Sequence, residues 1–358
     1  MTTPALLRLR ARFPEARITI FTPQKIADLW THFPGVDDVM PFAPKSSLMS
    51  EARRLRAKRF DLAIALPNSL RSGLELWLGR ARQRLGFVGN GRSPLLTWAV
   101  ARPRDEMRMV KRKESEIRRS LLSTARPAEI PLTAHHIHHY LHLFGTLGAS
   151  TDPIAPQLRV FPQEIEAFRV KFLSVGTAKS GEVRWLGLNP GAEYGPAKRW
   201  PEERFVEVAA RIHESTQCRW ILFGGPGDQA LTERIEKGIA HRLGIRGDGN
   251  LPVVNLAGRT HLRELMAGLA VCRAVLTNDS GPMHVAAALG TPVVVPFGST
   301  SPELTAPGLP GQPGSHQFLR ASVPCAPCFL RECPIDFRCM TQISIEAVTH
   351  AVLSTIHS

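Results

Sequence analysis

Short apolar runs alternate along the chain with longer segments in which apolar positions recur at helical spacing. In the first half, RITIF (17–21), DLAIAL (61–66) and RLGFV (84–88) predict short buried strands, set among helices over 3–13, 46–59 and 69–80. The second half is cleaner. WLGLNPG (185–191), CRWILFGG (218–225), VVNLAG (253–258), AVLTND (274–279) and PVVVPFG (292–298) are apolar runs that stop at Gly, Asn or Asp. Helices are predicted between them over 201–215, 227–243, 260–271 and 281–289. Strands alternating with helices predict an α/β protein with parallel, doubly wound sheets. A Pro-punctuated stretch, TDPIAPQLRVFP (151–162), reads as a hinge. It divides the chain into two Rossmann-like domains, 1–158 and 159–358, expected to face each other across a cleft.

Ligands of open parallel sheets bind beyond the carboxyl ends of the strands. In the second half those ends carry Asn189-Pro190-Gly191, Gly224-Gly225-Pro226-Gly227-Asp228, Gly258, Asn278-Asp279-Ser280-Gly281 and Gly298-Ser299-Thr300. Small residues let a ligand approach the backbone. The helix beginning near Gly281 offers free N–H groups and a positive dipole end, which suit a phosphate. The same residues also make an ordinary helix start, with Asp or Ser as N-cap and Pro282 in the first turn. His284, one turn in, either reaches a ligand at that start or is simply packed. In EYGPAKRWPEERF (193–205), Lys198 lies just before a helix first turn, on the same edge as Asp279. It is either a solvated loop charge or a group that neutralises a diphosphate. The chain has no Asp-x-Asp pair, GxxxxGK[ST] loop or GxGxxG, so metal-bridged diphosphate, kinase-type and dinucleotide sites lose support.

Composition adds limits. The chain has 358 residues, 43% apolar and 21% charged, enough for two cores and unlike a disordered chain. No apolar run is long enough for a transmembrane helix, and MTTPALLRLRARF lacks the core of a signal peptide, which predicts a cytoplasmic protein. The net charge of +14 favours a polyanionic partner. The excess is densest in RPRDEMRMVKRKESEIRRSLLSTAR (102–126), either a solvated segment or a contact with a membrane surface or phosphorylated lipid. Nucleic acid is disfavoured: there are only two Tyr, and no stretch interleaves aromatic and basic residues.

Cys325, Cys328, Cys333 and Cys339 are spaced C-x2-C-x4-C-x5-C, which is no standard zinc ribbon or finger. A thiol-rich loop near the cleft is the preferred reading, with zinc as the alternative; a structural disulfide is disfavoured in the cytoplasm. In HHIHHYLHLFG (135–145), His135, His138, His139 and His142 share a helix face. That pattern is adventitiously metal-binding at most, and it reads as a surface helix with Ile137, Leu141 and Phe144 facing inward.

LNPGAEYGPAKRWPEERF, FGGPGD, NLAGRTHLRELMAGLA, TNDSGPMHVAAALGTPVVVPFGSTSPE and CAPCFLRECPIDFRCM together resemble the lipopolysaccharide heptosyltransferases, glycosyltransferase family 9, and the last of them the heptosyltransferase II branch. The resemblance implies a GT-B fold and an inverting, metal-independent transfer of heptose from ADP-heptose to the lipopolysaccharide inner core, with no cofactor. It implies that Asp279 and His284 contact the donor, that the Ser280 and Gly281 N–H groups hold the diphosphate, and that Lys198 stabilises the leaving group. Asn189 and Gly191 would line the same pocket and Asp228 bind the ribose. Arg320, Arg331 and Arg338 would meet acceptor phosphates, as guanidinium suits phosphate geometry. The acceptor would be of the lipid A-Kdo-heptose type, met by a monomer resting through its basic surface on the cytoplasmic face of the inner membrane.

An inverting transfer needs a base for the acceptor hydroxyl. The family's base is an Asp in a Gly-Asp motif after the first strand, and Met1 aligns inside that region. The base is therefore expected upstream of Met1, the first strand is expected to be missing from the sheet, and the chain as it stands is expected to bind donor but transfer poorly. Were it fully active, Asp61 would be the first base to test. Competing readings are a nucleotide-sugar epimerase, which would need no acceptor, and an inactive relative that only binds donor or acceptor.

Overall fold

The structure is a computed structural model that describes residues 1–122, 129–173, 184–246, 251–312 and 314–357. It has two compact units: Met1–Met107 with Thr133–Ile154, and Arg108–Leu132 with Ala155–Ser358.

The first unit opens with α1 (Thr3–Arg12), then β1 (Thr19–Pro23), β2 (Asp38–Phe42), α2 (Leu48–Lys58), β3 (Leu62–Ala65), α3 (Leu70–Leu78), β4 (Gln83–Phe87) and β5 (Trp98–Val100). The helix α4 (Glu114–Ser120) belongs to the second unit, and α5 (His136–Gly145) to the first. The strands make two separate parallel sheets, β1-β2 and β3-β4-β5. Yet Ile20 of β1, Ile64 of β3 and Leu66 pack against one apolar cluster built on Ala5, Leu6 and Leu9 of α1 and Ile137, Leu141 and Phe144 of α5. The strands β2 and β5 were not expected. The first carries Pro41, and the second is three residues long, so neither has the continuous apolar run that marks a central strand. Both pair on one side only.

The helix α5 corrects the reading of the histidine segment. Ile137, Leu141 and Phe144 do face inward, at 0–1% exposure, but Leu143 is fully buried too and His135 is a buried N-cap. The helix is therefore more buried than a surface helix, with His142 as its exposed position. The ring of His139 packs 4.2 Å from that of Phe87, and burial pushes its pKa down to about 4. Among the described residues, no group of three or more His, Cys, Asp or Glu is placed to hold a metal ion.

The second unit continues with α6 (Pro162–Phe168), β6 (Trp185–Asn189), α7 (Glu202–Thr216), β7 (Arg219–Leu222), α8 (Gln229–Arg242), β8 (Val253–Asn255), α9 (Leu262–Val271), β9 (Val275–Thr277), α10 (Gly281–Ala288), β10 (Val293–Phe297), α11 (Pro302–Thr305), β11 (Gln317–Arg320), α12 (Arg338–Thr341) and α13 (Ile345–His357). Six parallel strands stand in the order β11-β10-β9-β6-β7-β8. Every residue of β6, β9 and β10 is buried, as an apolar run in a sheet covered on both faces requires. The chain builds outward from β6 through β7 to β8, then returns to β9 on the other side. The order thus reverses between β6 and β9, where Asn189 pairs with Thr277, and this reversal is where open α/β sheets bind ligands. Ile117 of α4 lies in the core of this unit, and Arg112 donates to the carbonyls of Pro324 and Cys325. Part of the basic 102–126 segment is thus built into the fold; its residues 123–126 lie outside the described ones.

Candidate functional site

At the reversal, β6 ends in Asn189 and β9 runs into Asn278-Asp279-Ser280. Asn278 is fully buried and ties two strand ends together: its Oδ1 accepts from the Trp200 N–H at 3.0 Å and its Nδ2 donates to the Pro190 carbonyl at 2.7 Å. Asn189, 3% exposed, donates to Thr277 Oγ1 at 3.1 Å and to Ser280 Oγ at 3.0 Å. Ser280 is the N-cap residue of α10, but its side chain makes no capping bond to the helix. The ordinary-cap reading of this corner therefore fails at its main bond: the hydroxyl is turned toward Asn189. Gly281 is exposed, and a Cβ built there would meet nothing within 4 Å. His284, half-buried, follows in the first turn.

Asp279 is 5% exposed. Its Oδ2 accepts from Lys198 Nζ at 2.6 Å and from Thr300 Oγ1 at 2.6 Å. Three strand ends, those of β6, β9 and β10, thus supply one cluster. Lys198, which is not a solvated loop charge, has 15% of its side chain exposed. It is held from behind: its Nζ lies 5.1 Å from the ring centre of Tyr194, and the Arg331 guanidinium lies 5.4 Å from the same ring. The Tyr194 hydroxyl donates to the Phe329 carbonyl at 2.7 Å, and Arg331 Nε donates to the Tyr194 carbonyl at 2.7 Å. Gly195, at φ 154°, brings the backbone so close to Arg331 that a Cβ would sit 2.5 Å from its carbonyl oxygen. Tyr194 and Thr300 are functional candidates that sequence reasoning did not single out as such. Thr300 is visible in the sequence only as one small polar residue after β10, and Tyr194 carries no local signal within EYGPAKRWPEERF.

Asp228 stands on the neighbouring strand end, after β7. Its Oδ2 accepts from the Gly225 N–H at 3.0 Å, and its carboxylate lies where a Cβ on Gly191 would be, 2.5 Å away. Arg199 is 3.9 Å from it. Gly191 is thus required for close approach of Asp228 to the β6 loop.

The three arginines assigned to acceptor phosphates all have partners. Arg320 pairs with Glu303 at 2.5 Å, Arg338 with Asp336 at 2.6 Å, and Arg331 serves Tyr194. The Arg338 guanidinium holds the Asp336 carboxyl at about 2. All four cysteines of the C-terminal loop are free thiols lining one void of about 10 Å³, room for at most a single water. Burial, then the neighbouring Cys325, Cys328 and Cys333, push the Cys339 thiol up to about 12. Asp61 is largely exposed, 3.7 Å from Arg82.

The family description of glycosyltransferase family 9 (heptosyltransferase) matches residues 48–337. The chain belongs to that family. The match takes in Asn189, Lys198, Asp279 and the first three cysteines of the C-terminal loop. Among curated members, lipopolysaccharide heptosyltransferase 2 of Salmonella typhimurium is 32% identical over 86% of this chain and 81% of its own length. Lipooligosaccharide heptosyltransferase 2 of Campylobacter jejuni is 32% identical over 98% of this chain and 93% of its own. Among solved structures, the ADP-heptose lps heptosyltransferase II of E. coli superposes with a TM-score of 0.73 at 26% identity, covering 100% of this chain and 94% of that one. The two α/β units with parallel sheets fit the GT-B fold of this family 9 member.

Proposed function

We propose that this family 9 chain transfers a heptose from ADP-heptose to the inner core of lipopolysaccharide, by an inverting displacement that uses neither metal nor cofactor. The observation that carries the reading is the Lys198–Asp279 pair beside an uncapped helix start at the reversal of the sheet. The printed activities of the relatives support it. The diphosphate sits on the Ser280 and Gly281 N–H groups, in the positive end of α10. Lys198 leaves Asp279 for the phosphate oxygens and stabilises charge as ADP departs. Asn189 and Gly191 line the pocket, Asp228 takes the ribose, and His284 reaches the donor from the first turn.

In the transfer, an acceptor hydroxyl oxygen forms a bond to the anomeric carbon. The bond from that carbon to the β-phosphate oxygen breaks, and ADP leaves with the electron pair. The hydroxyl proton goes to a general base; if the chain proves fully active, Asp61 is the first residue to test. The acceptor is of the lipid A-Kdo-heptose type, reached by a monomer at the cytoplasmic membrane surface through basic residues of the 102–122 stretch. Among the described residues, no helix is long and apolar enough to cross a membrane. Incubating the protein with ADP-heptose and heptose-deficient lipopolysaccharide should release ADP only when both are present. Donor consumed without acceptor would favour an epimerase, and donor bound without turnover an inactive relative.

A further inference from the structure

Lys198 has more neighbours than an ion pair requires. An ammonium bonded at 2.6 Å to a buried carboxylate is fixed and neutralised by that carboxylate alone. Yet the ring centre of Tyr194 also lies 5.1 Å from its Nζ, within reach of a cation–π contact. The ring is redundant while the ammonium stays on Asp279. It stops being redundant when the ammonium moves to phosphate oxygens, because a lysine head then rides on a flexible four-carbon stem. Ordering that stem costs rotamer entropy unless something else confines it.

The ring is itself held in place. The Tyr194 hydroxyl donates to the Phe329 carbonyl and the Tyr194 carbonyl accepts from Arg331 Nε, each at 2.7 Å. The Arg331 guanidinium lies 5.4 Å from the ring centre. The turn that carries Lys198 is pinned to the same residue, since the Ala197 N–H donates to the Arg331 carbonyl at 2.9 Å. Gly195 passes that carbonyl with no room for a Cβ. Arg331 thus fixes both the ring and the turn, so ring and ammonium share one frame. None of these contacts involves Asp279, and all of them persist when Lys198 releases it.

We propose that Tyr194 is a positioning residue for the transfer: its ring keeps the Lys198 ammonium at the Asp279 corner as the ammonium passes to the diphosphate, and Arg331 holds the ring there. The inference rests on the reading of Lys198 as the group that meets the diphosphate. Tyr194 acts through Lys198 and touches no reacting atom. In the free chain Asp279 orders the ammonium with or without the ring. Removing the ring therefore weakens the diphosphate-bound state and leaves the free state nearly unchanged.

Calorimetric titration of the full chain with ADP tests this as a double-mutant cycle. Tyr194→Leu should weaken ADP by about fivefold, the loss expected when a largely buried ammonium is deprived of its aromatic partner. Tyr194→Phe, which keeps the ring, should stay within about twofold of wild type. In a Lys198→Met background Tyr194→Leu should shift ADP affinity by less than about twofold, because no ammonium is left to place. Arg331 is exposed, so Arg331→Met keeps the fold and supplies a second cycle where Tyr194→Leu does not fold. It should weaken ADP by about threefold with Lys198 present and leave it unchanged without Lys198. Wild-type ADP affinity in Tyr194→Leu and Arg331→Met overturns the proposal and leaves the Lys198 reading standing. An equal loss with and without Lys198 also overturns it, because the ring would then only support the fold. Tyr194→Phe as weak as Tyr194→Leu gives the effect to the hydroxyl tether and overturns the part assigned to the ring. Lys198→Met that binds ADP as tightly as wild type, or a wild type that binds no ADP, refutes the donor corner itself, and the proposal falls with it.

Discussion

Replacing Lys198 by Met should destabilise the second unit before any donor is added. The ammonium lies 2.6 Å from Asp279 Oδ2, with 15% and 5% of the two side chains exposed. A pair this buried resists removal of one partner, which typically costs about 3–5 kcal/mol because the other charge is left uncompensated. Here Thr300 still donates to the same oxygen at 2.6 Å, which places the expected cost of Lys198→Met near the lower bound, about 3 kcal/mol. Asp279→Asn should cost a similar amount, since it strands the ammonium. The double variant strands no charge, so it should cost less than the sum of the two, with a coupling of about 2 kcal/mol. Urea unfolding followed by tryptophan fluorescence reads this, because Trp185, Trp200 and Trp220 are all buried in the second unit. The same singles should lower turnover by about 2–4 kcal/mol of transition-state stabilisation, roughly 30- to 1000-fold in ADP release. Single costs below about 1 kcal/mol that simply add would show the pair to behave as an exposed one. Near-normal turnover in both singles would remove the site assignment.

His139 refuses a proton to about pH 4 in the folded chain, against an ordinary 6.5. The unfolded chain binds that proton first, so stability should fall as pH drops from 6.5 to 4, by about 3 kcal/mol in total. Burial lowers His136 and His138 in the same direction. Urea midpoints at pH 7.5 and 4.5 should differ less in His139→Phe than in wild type, and an equal difference would contradict the argument. The four C-terminal cysteines should carry less than one equivalent of zinc by elemental analysis, and chelators should leave the melting temperature unchanged. Stoichiometric zinc with unfolding on chelation would make the loop a structural metal site. Gly191→Ala must displace the Asp228 carboxylate, which lies 2.5 Å from the new Cβ. ADP affinity should drop severalfold while the fold persists, and unchanged affinity would take Asp228 out of the ribose site.

The second unit was the more legible because its strands are buried on both faces. Five uninterrupted apolar runs mark β6 to β10, and the observed strands lie inside them. The edge strand β11, QFLR, has only two apolar residues between exposed polar ends, carries no such run and was missed. The same applies to β2 and β5 in the first unit. Helix boundaries were mostly readable to one or two residues, because Ser47 and Ser69 as N-caps and Glu202 with Glu203 in the first turn of α7 are local signals. The burial of α5 was not readable. Its four histidines suggest a wet face, and the burial of His139 depends on Phe87, about fifty positions earlier in the chain.

The site divides along the same line. Asn189, Asp279, Ser280 and Gly281 could be picked out because each lies at the end of an apolar run, a position set by local sequence. What orients Lys198 is not local. Tyr194 sits between two cations, one four residues ahead and one at 331, and its hydroxyl is fixed by a carbonyl at 329. The cysteine loop that carries Phe329 and Arg331 is in turn anchored to the β10 corner, where the Ser299 carbonyl accepts from the N–H groups of Cys328 and Phe329 at 3.1 and 2.8 Å. The loop therefore acts as a brace between the end of β10 and the Lys198 turn. That gives the thiol-rich segment a structural reason to accompany the Asp279 corner without touching a ligand. Buried Cys325 and Cys339 and half-buried Cys328, all raised in pKa chiefly by burial, are protonated packing groups at neutral pH. What they pack is the brace that aims the lysine.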